Sequence, residues 1–174
     1  MADLYFLAGY PIYRDFDADD IEVLASVCEE IELKKGEAVF REGEAGDSMY
    51  IVKEGNVNIV KETAAGRKKI AVISEGEFFG EMALIENSLR SASVFAGDKT
   101  VLIKLSTQDF RRLKDDFAKT GFKVADVLLK FMSQRIRRTT NTAAKLQKRR
   151  KTSKKKKKKA VNADNRKKKK SLRR

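Results

Sequence analysis

The chain has 174 residues, 41% of them hydrophobic, which is enough for one domain with a buried core. It carries 39 Lys and Arg against 25 Asp and Glu, for a net charge of +14. Residues 145–174 hold 18 basic side chains and a single acidic one, Asp164, which leaves the rest of the chain at a net charge of −3. The sequence therefore predicts a slightly acidic globular domain followed by a basic tail.

The composition excludes several kinds of chemistry. The chain contains no His, the usual general base near neutral pH and the commonest metal ligand. The single cysteine, Cys28, cannot form an internal disulfide or a cysteine-rich zinc site. We interpret Cys28 as a small buried hydrophobe that shares a helix face with Ile21, Leu24 and Ala25, rather than as a reactive thiol. We expect no metal, no cofactor and no enzyme activity, because no nucleophile is flanked by a base.

Targeting signals are not evident in the sequence. No apolar segment approaches the ~20 residues that a membrane-spanning helix needs. The first residues place an acid, Asp3, where a signal peptide has a positive charge, and no long apolar region follows. We therefore expect a cytoplasmic protein.

The first part of the chain is predicted to form a short helix followed by strands. Asp17, Asp19 and Asp20 favour the start of a helix that we expect to run through about Glu30. Short strand-like segments separated by glycines predict a small antiparallel barrel or sandwich, with residues 62–67 as a loop. The predicted strands are 31–33, 38–40, 49–52, 57–60, 70–73, 92–96 and 101–105.

Helices are predicted after the last strand. Ser106 with Asp109 resembles a capping box, which predicts a helix through about Asp116. Gly121 interrupts the pattern, and a longer helix begins near Phe122. The apolar residues of that helix alternate spacings of three and four: Phe122, Ala125, Leu129, Met132 and Ile136, with weaker residues through Leu146.

Two roles are open for this helix, and one helix could serve both. The apolar residues of this helix form a stripe along one face. This stripe is short for a free-standing coiled coil, yet it suits a homodimer formed through residues 122–146. Val124, Val127 and Leu128 widen the stripe enough for the helix to pack on its own domain instead.

The lysine-rich tail, residues 147–174, contains six consecutive lysines at 154–159 and four at 167–170. Like charges at this density predict disorder in isolation. The tail is expected to bind nucleic acid, an anionic membrane or an acidic protein partner without sequence preference, since no aromatic residue interleaves the lysines. The alternative is a solvated extension that only raises the net charge.

The most informative segment is Gly76-Glu77-Phe78-Phe79-Gly80-Glu81-Met82-Ala83-Leu84, followed five residues later by Arg90-Ser91-Ala92-Ser93-Val94. A glycine turn leading into a short helix presents free backbone N–H groups, which suit a phosphate. Arg90 supplies a planar fork of donors for the same anion. Glu81 is compatible with such a site if it accepts a hydrogen bond from a sugar hydroxyl beside the phosphate.

These residues closely resemble the phosphate-binding cassette of cyclic-nucleotide-binding domains. Lys35-Gly36-Glu37, the run from Arg41 to Val52, and Glu54-Gly55-Asn56-Val57 resemble the glycine framework of the same family. The resemblance covers residues 12–140. It implies a mainly β fold with flanking helices, a jelly-roll-like double-stranded β-helix over about 31–105 followed by C-terminal helices over about 106–146. The family has eight strands, so we expect the eighth near Phe78.

The resemblance also implies roles for individual residues. Glu81 would accept a hydrogen bond from the ribose 2′-hydroxyl, and Arg90 would bind the exocyclic oxygen of the cyclic phosphate. Ser91 lies where cyclic-AMP binders carry Ala or Ser and many cyclic-GMP binders carry Thr, so it does not settle the base. The remaining predicted contacts are Gly80, Met82 and Ala83 around the phosphate, and Thr139 and Thr140 at the base.

The family implies a sensor rather than an enzyme. We expect a ligand, cAMP more readily than cGMP, that signals by closure of the C-terminal helix over the site. Members that act as transcription activators continue with a helix-turn-helix, whereas the lysine-rich tail follows here. Two alternatives are a vestigial site and a basic nucleic-acid-associated protein in which the β-roll is only a dimerisation scaffold.

Overall fold

The computed structural model describes residues 2–86, 88–137 and 139–140. Two 3-10 turns, Tyr5–Gly9 and Pro11–Tyr13, precede helix α1 (Ala18–Val27). Within the described residues, eight strands follow: β1 (Glu29–Leu33), β2 (Ala38–Phe40), β3 (Ser48–Glu54), β4 (Asn56–Thr63), β5 (Gly66–Ser74), β6 (Phe78–Phe79), β7 (Ser93–Ala96) and β8 (Thr100–Ser106). Helix α2 (Met82–Ile85) joins β6 to β7, and α3 (Thr107–Asp116) follows β8. Residues 118–137 and 139–140 are also helical.

The strands form two four-stranded antiparallel sheets, in the orders β1-β8-β3-β6 and β2-β7-β4-β5. Because most consecutive strands alternate between the sheets, the chain closes into a β-roll. The buried core between the sheets draws on six of the strands: Tyr50, Val52, Val57, Ile73, Phe79, Val94 and Leu102. The predicted fold class, a mainly β double-stranded β-helix with flanking helices, is confirmed.

The predicted strands are present, including the eighth strand expected near Phe78. The eighth strand is β6, which pairs with β3 through Phe78 and Phe79 only and is therefore too short to show alternation. The predicted loop over residues 62–67 does join two strands but is too wide: only residues 64–65 form the turn, because β4 and β5 continue as a ribbon to the pair Thr63 and Gly66. Most residues of this ribbon's far end are exposed, so no alternation of apolar and polar side chains marks the strands there.

Helix α1 begins with a reciprocal capping box between Asp17 and Asp20. The helix ends at Val27 instead of about Glu30, because Glu29 and the residues after it pair with β8. Cys28 caps the end of the helix and is half-buried. Burial, with a smaller contribution from the nearby Asp109 carboxylate, raises the pKa of its thiol to about 12, so the thiol stays protonated and poorly nucleophilic at neutral pH.

Helix α3 begins where the sequence predicts, with Ser106 as the N-cap accepting from the Asp109 amide at 3.0 Å. The predicted break at Gly121 is wrong: the break falls at Phe117, and Gly121 lies inside the following helix. A Cβ at Gly121 would lie only 3.0 Å from Lys114 Cα and 3.1 Å from the Leu113 carbonyl oxygen. Gly121 is therefore needed for the close approach of two helices.

The structure divides into two units after Leu129. In the first unit, Val124 and Leu128 are buried and line a small apolar cavity of about 20 Å³ together with Met49 of β3, so this helix packs on the β-roll. In the same unit, Phe122 is 75% exposed and Leu129 is 67% exposed.

The second unit includes helical residues 130–137 and 139–140, where Ile136 is 64% exposed. Residues 141–146 of the predicted helix and the lysine-rich tail lie outside the described residues. Within the described part of the chain, no helix combines the length and apolarity required to cross a membrane.

Candidate ligand-binding site

The segment predicted to bind phosphate forms a tight turn after β6. Gly80 has a φ of +76°, a conformation that favours glycine. Its carbonyl oxygen accepts a hydrogen bond from the Ala83 amide at 3.2 Å, and the Glu81 carbonyl accepts from the Leu84 amide at 3.0 Å. These bonds make α2 a single turn, with Glu81 as its N-cap, Ala83 buried and Met82 44% exposed.

The segment that returns towards β7 is held by backbone hydrogen bonds to the turn after β2. The Arg90 amide donates to the Glu44 carbonyl at 2.8 Å, and the Gly43 amide donates to the Arg90 carbonyl at 2.9 Å. The Ser91 carbonyl accepts from Lys61 Nζ at 2.7 Å, while the Ser91 side chain is exposed. The backbone of Arg90 is thus fixed by hydrogen bonds within the protein.

The Arg90 side chain turns into the protein and is only 5% exposed. Its Nη1 donates to the Ser48 carbonyl at 2.8 Å and to the Gly80 carbonyl at 3.4 Å. Its Nη2 donates to Asp47 Oδ1 and to Ser48 Oγ, both at 3.3 Å. One face of the guanidinium lies against Phe40, with Cζ 4.0 Å from the ring centroid.

The third nitrogen of this guanidinium, Nε, differs from the other two. Among the described residues, no hydrogen-bond acceptor reaches the buried Nε of Arg90. A buried donor without a partner is energetically unfavourable, by about 1–3 kcal/mol. A phosphate bound at this edge of the guanidinium would satisfy the donor and would gain a charge-assisted hydrogen bond.

A buried carboxylate accompanies the buried cation, since Glu81 at the start of α2 is only 7% exposed. A carboxylate is an acceptor of hydrogen bonds and repels a phosphate. Its presence beside an anion site is therefore chemically consistent with a ligand that carries both a phosphate and a hydroxyl.

Six of the eight predicted contacts lie in the first unit, on the turn and α2 or on the return segment: Gly80, Glu81, Met82, Ala83, Arg90 and Ser91. Gly80 and Arg90 are in direct contact. The other two, Thr139 and Thr140, lie in helical residues of the second unit, where Thr139 Oγ1 donates to the Arg135 carbonyl at 2.9 Å.

Three residues that hold the Arg90 side chain have no role predicted from the sequence: Phe40 at the end of β2, Asp47, and Ser48 at the start of β3. Asp47 and Ser48 belong to the glycine framework between residues 41 and 52, which is the available signal. Phe40 offers no sequence signal, because an apolar residue at the end of a strand is ordinary.

The chain is similar to known proteins of one family. Residues 30–117 match the model of the cyclic nucleotide-binding domain family. The cAMP-dependent protein kinase regulatory subunit of Yarrowia lipolytica is 34% identical over 108 residues, which cover 62% of this chain and 28% of that protein. The cyclic AMP receptor protein of Thermus thermophilus is 28% identical over 108 residues, 62% of this chain and 50% of that protein.

A solved structure shows the same fold. The crystal structure of a cyclic nucleotide-binding domain from Methylobacillus flagellatus is similar with a TM-score of 0.70 and 28% identity, over 77% of this chain and 76% of that one. The chain spans half or less of the length of the two curated relatives, so the likeness concerns a part of each. With half of its length matched by the family model, this chain belongs to the cyclic nucleotide-binding domain family.

Proposed function

We propose that this chain is a regulatory sensor that binds a cyclic nucleotide, cAMP in preference to cGMP. The observation that carries the proposal is the buried Arg90 guanidinium, whose Nε has no partner among the described residues. Two relatives whose names refer to cAMP, a kinase regulatory subunit and a receptor protein, support the choice of ligand. Both are regulatory or receptor proteins, which supports a role without catalysis.

In this proposal, Arg90 binds the exocyclic oxygen of the cyclic phosphate through Nε, and Glu81 accepts a hydrogen bond from the ribose 2′-hydroxyl. Gly80, Met82 and Ala83 form the backbone around the phosphate. The Ala83 amide already donates to the Gly80 carbonyl at 3.2 Å, so it would bond the phosphate as a shared donor. The exposed Ser91 hydroxyl is available to the phosphate or to a guanine amino group.

Signalling would follow from closure of the C-terminal helix over the base, with Thr139 and Thr140 as base contacts. The ligand can shift this equilibrium only by the difference between its affinities for the closed and open states. The exposed Phe122 and Leu129 are seven residues apart, as is the exposed Ile136 from Leu129, which supports a homodimer formed through residues 122–146. The lysine-rich tail would carry the output to a polyanionic partner.

The test is calorimetric titration of the full chain with cAMP and with cGMP, repeated on Arg90→Lys. We expect saturable binding by the wild type and a loss of about a hundredfold in Arg90→Lys, since Lys lacks the planar fork of donors. Arg41→Lys is the matched control, because Arg41 is exposed and lies over Phe95 instead. Absence of heat from folded wild type with either nucleotide, or equal losses in both variants, would overturn the proposal.

A further inference from the structure

The ring beneath the Arg90 guanidinium is itself rigidly held. Phe40 is half-buried at the end of β2. Its ring lies 5.9 Å from the Tyr50 ring and 6.0 Å from the Phe79 ring, and those two rings stack on each other at 5.3 Å. Tyr50 and Phe79 are both core residues, so the aromatic surface under Arg90 belongs to the core of the β-roll.

We propose that Phe40 is a positioning residue for the nucleotide site, an inference that rests on the function proposed above. Phe40 sets the plane of the Arg90 guanidinium so that Nε faces the phosphate. Hydrogen bonds from Nη1 to the Ser48 and Gly80 carbonyls, and from Nη2 to Asp47 and Ser48, all hold the same edge of the guanidinium. These bonds alone leave the group able to tilt about that edge, whereas a ring against one face removes the tilt.

Gly80 lies beside both members of this contact. A Cβ at Gly80 would lie 2.9 Å from Arg90 Nη1 and 3.6 Å from Phe40 Cε1. The absence of a side chain at Gly80 therefore leaves room for both the Phe40 ring and the guanidinium edge that carries Nη1.

The electrostatics of the contact favour an aromatic residue over an aliphatic one. The face of a benzene ring is negative, and a cation held over it is stabilised more strongly when the pair is shielded from water. Arg90 is buried, and the Asp47 side chain with which it forms an ion pair is 78% exposed. The ring thus holds the cation in place without adding a second carboxylate, which would compete with the phosphate.

The experiment compares three substitutions in the full chain. Phe40→Leu removes the ring and keeps an apolar side chain, and Phe40→Tyr keeps the ring. Phe95→Leu is the matched control: Phe95 is also half-buried and lies under two guanidinium groups, those of Arg41 and Arg67. Thermal melts establish that each variant is folded at the titration temperature.

We expect Phe40→Leu to weaken cAMP binding by roughly fivefold to thirtyfold, the range that corresponds to a desolvated cation–π contact. Phe40→Tyr should bind within about threefold of the wild type, and Phe95→Leu should bind as the wild type does. Equal affinities of Phe40→Leu and wild type would overturn the inference. Equal losses in Phe40→Leu and Phe40→Tyr would overturn it as well.

A measurement without ligand separates this inference from the proposed function. A ring 4.0 Å from Cζ should shift the NMR resonance of the Arg90 Nε–H group upfield. The shift should disappear in Phe40→Leu and persist in Phe40→Tyr and Phe95→Leu. If the shift follows this pattern while no nucleotide binds, the contact between Phe40 and Arg90 is confirmed and the proposed function fails. If nucleotide binds and the shift is unchanged in Phe40→Leu, only the positioning role fails.

Discussion

Gly80 illustrates how a single residue controls the site, because it meets two demands at once. Its φ of +76° strains any residue with a side chain, and a Cβ there would lie 2.9 Å from Arg90 Nη1. We expect Gly80→Ala to displace the guanidinium and to weaken cAMP binding by at least about tenfold, with a fall in stability of about 1 kcal/mol. Calorimetry and urea unfolding measure the two effects.

Gly66→Ala is the control for backbone strain alone. Gly66 has a φ of +99°, and a Cβ there would meet no atom within 4 Å. Gly66→Ala should therefore lower the stability of the protein without lowering its affinity for cAMP. A comparable loss of affinity in both variants would show that strain, and not displacement of Arg90, is the cause.

The role of an individual residue can be predicted from the sequence where its partners are near in the chain, and is missed where they are distant. The capping residues Asp17 and Ser106 bond to amides three positions away, so their roles are visible in the sequence. The Arg90 side chain donates to Ser48, 42 positions earlier, and lies on Phe40 of a different strand. These interactions depend on the closing of the β-roll, which no local pattern encodes.

The helix that begins at residue 118 is tied to α1 by a buried carboxylate. Asp20 is 1% exposed, accepts from Thr120 Oγ1 at 2.8 Å and pairs with Lys123. We expect Asp20→Ala to reduce the free energy of unfolding by about 2 kcal/mol, because the Thr120 hydroxyl and the Asp17 amide lose their acceptor. Urea unfolding measures the loss, and Asp19→Ala, at an exposed position next to it, should change stability little.

The contact between α1 and the helix that begins at residue 118 also predicts that stability depends on pH. A hydrogen bond from Lys119, followed by one from the Asp20 amide, holds the pKa of Asp17 well below its usual range. Because the folded-state pKa is lowered, the stability that the carboxylate adds is present above the ordinary Asp pKa, near about 4, and is lost as the pH falls below it. Wild type should therefore exceed Asp17→Asn in stability at about pH 7, and the difference should shrink by about pH 3. Urea unfolding at both values measures it, and a difference independent of pH would contradict the ion pair.

Strands are predictable from the sequence where a short apolar segment lies between turn residues, and their ends are missed where the strand carries polar side chains. Short apolar segments locate most of the strands, but the ends of β4 and β5 next to their turn are polar and exposed, so the loop between them is predicted too wide. Strand β6 has two residues, both buried, and is too short for any periodicity. Gly121 looks like a helix breaker in sequence, whereas its role is to admit α3 at close range.

For the whole molecule, the distribution of charge predicts which part of the chain binds nucleic acid. The domain carries a net charge of −3 and residues 145–174 carry 18 basic side chains, so binding to nucleic acid should depend on the tail and on salt. Replacing the six lysines at 154–159 by glutamine should lower the slope of log K against log salt on random-sequence duplex DNA. The decrease should be about 0.9 for each phosphate that the variant no longer neutralises. The affinity for cAMP should stay within about twofold, because the replaced lysines lie far along the chain from the cassette.

The same titration distinguishes the two interpretations if it is repeated with saturating cAMP. In a sensor whose tail is the output, cAMP must change the affinity for DNA, and DNA must change the affinity for cAMP by the same factor. Arg90→Lys should abolish this coupling and leave the DNA affinity of the nucleotide-free protein intact. If cAMP binds and the DNA affinity does not move, the tail acts as a constant anchor and the output of the sensor lies in another surface of the domain.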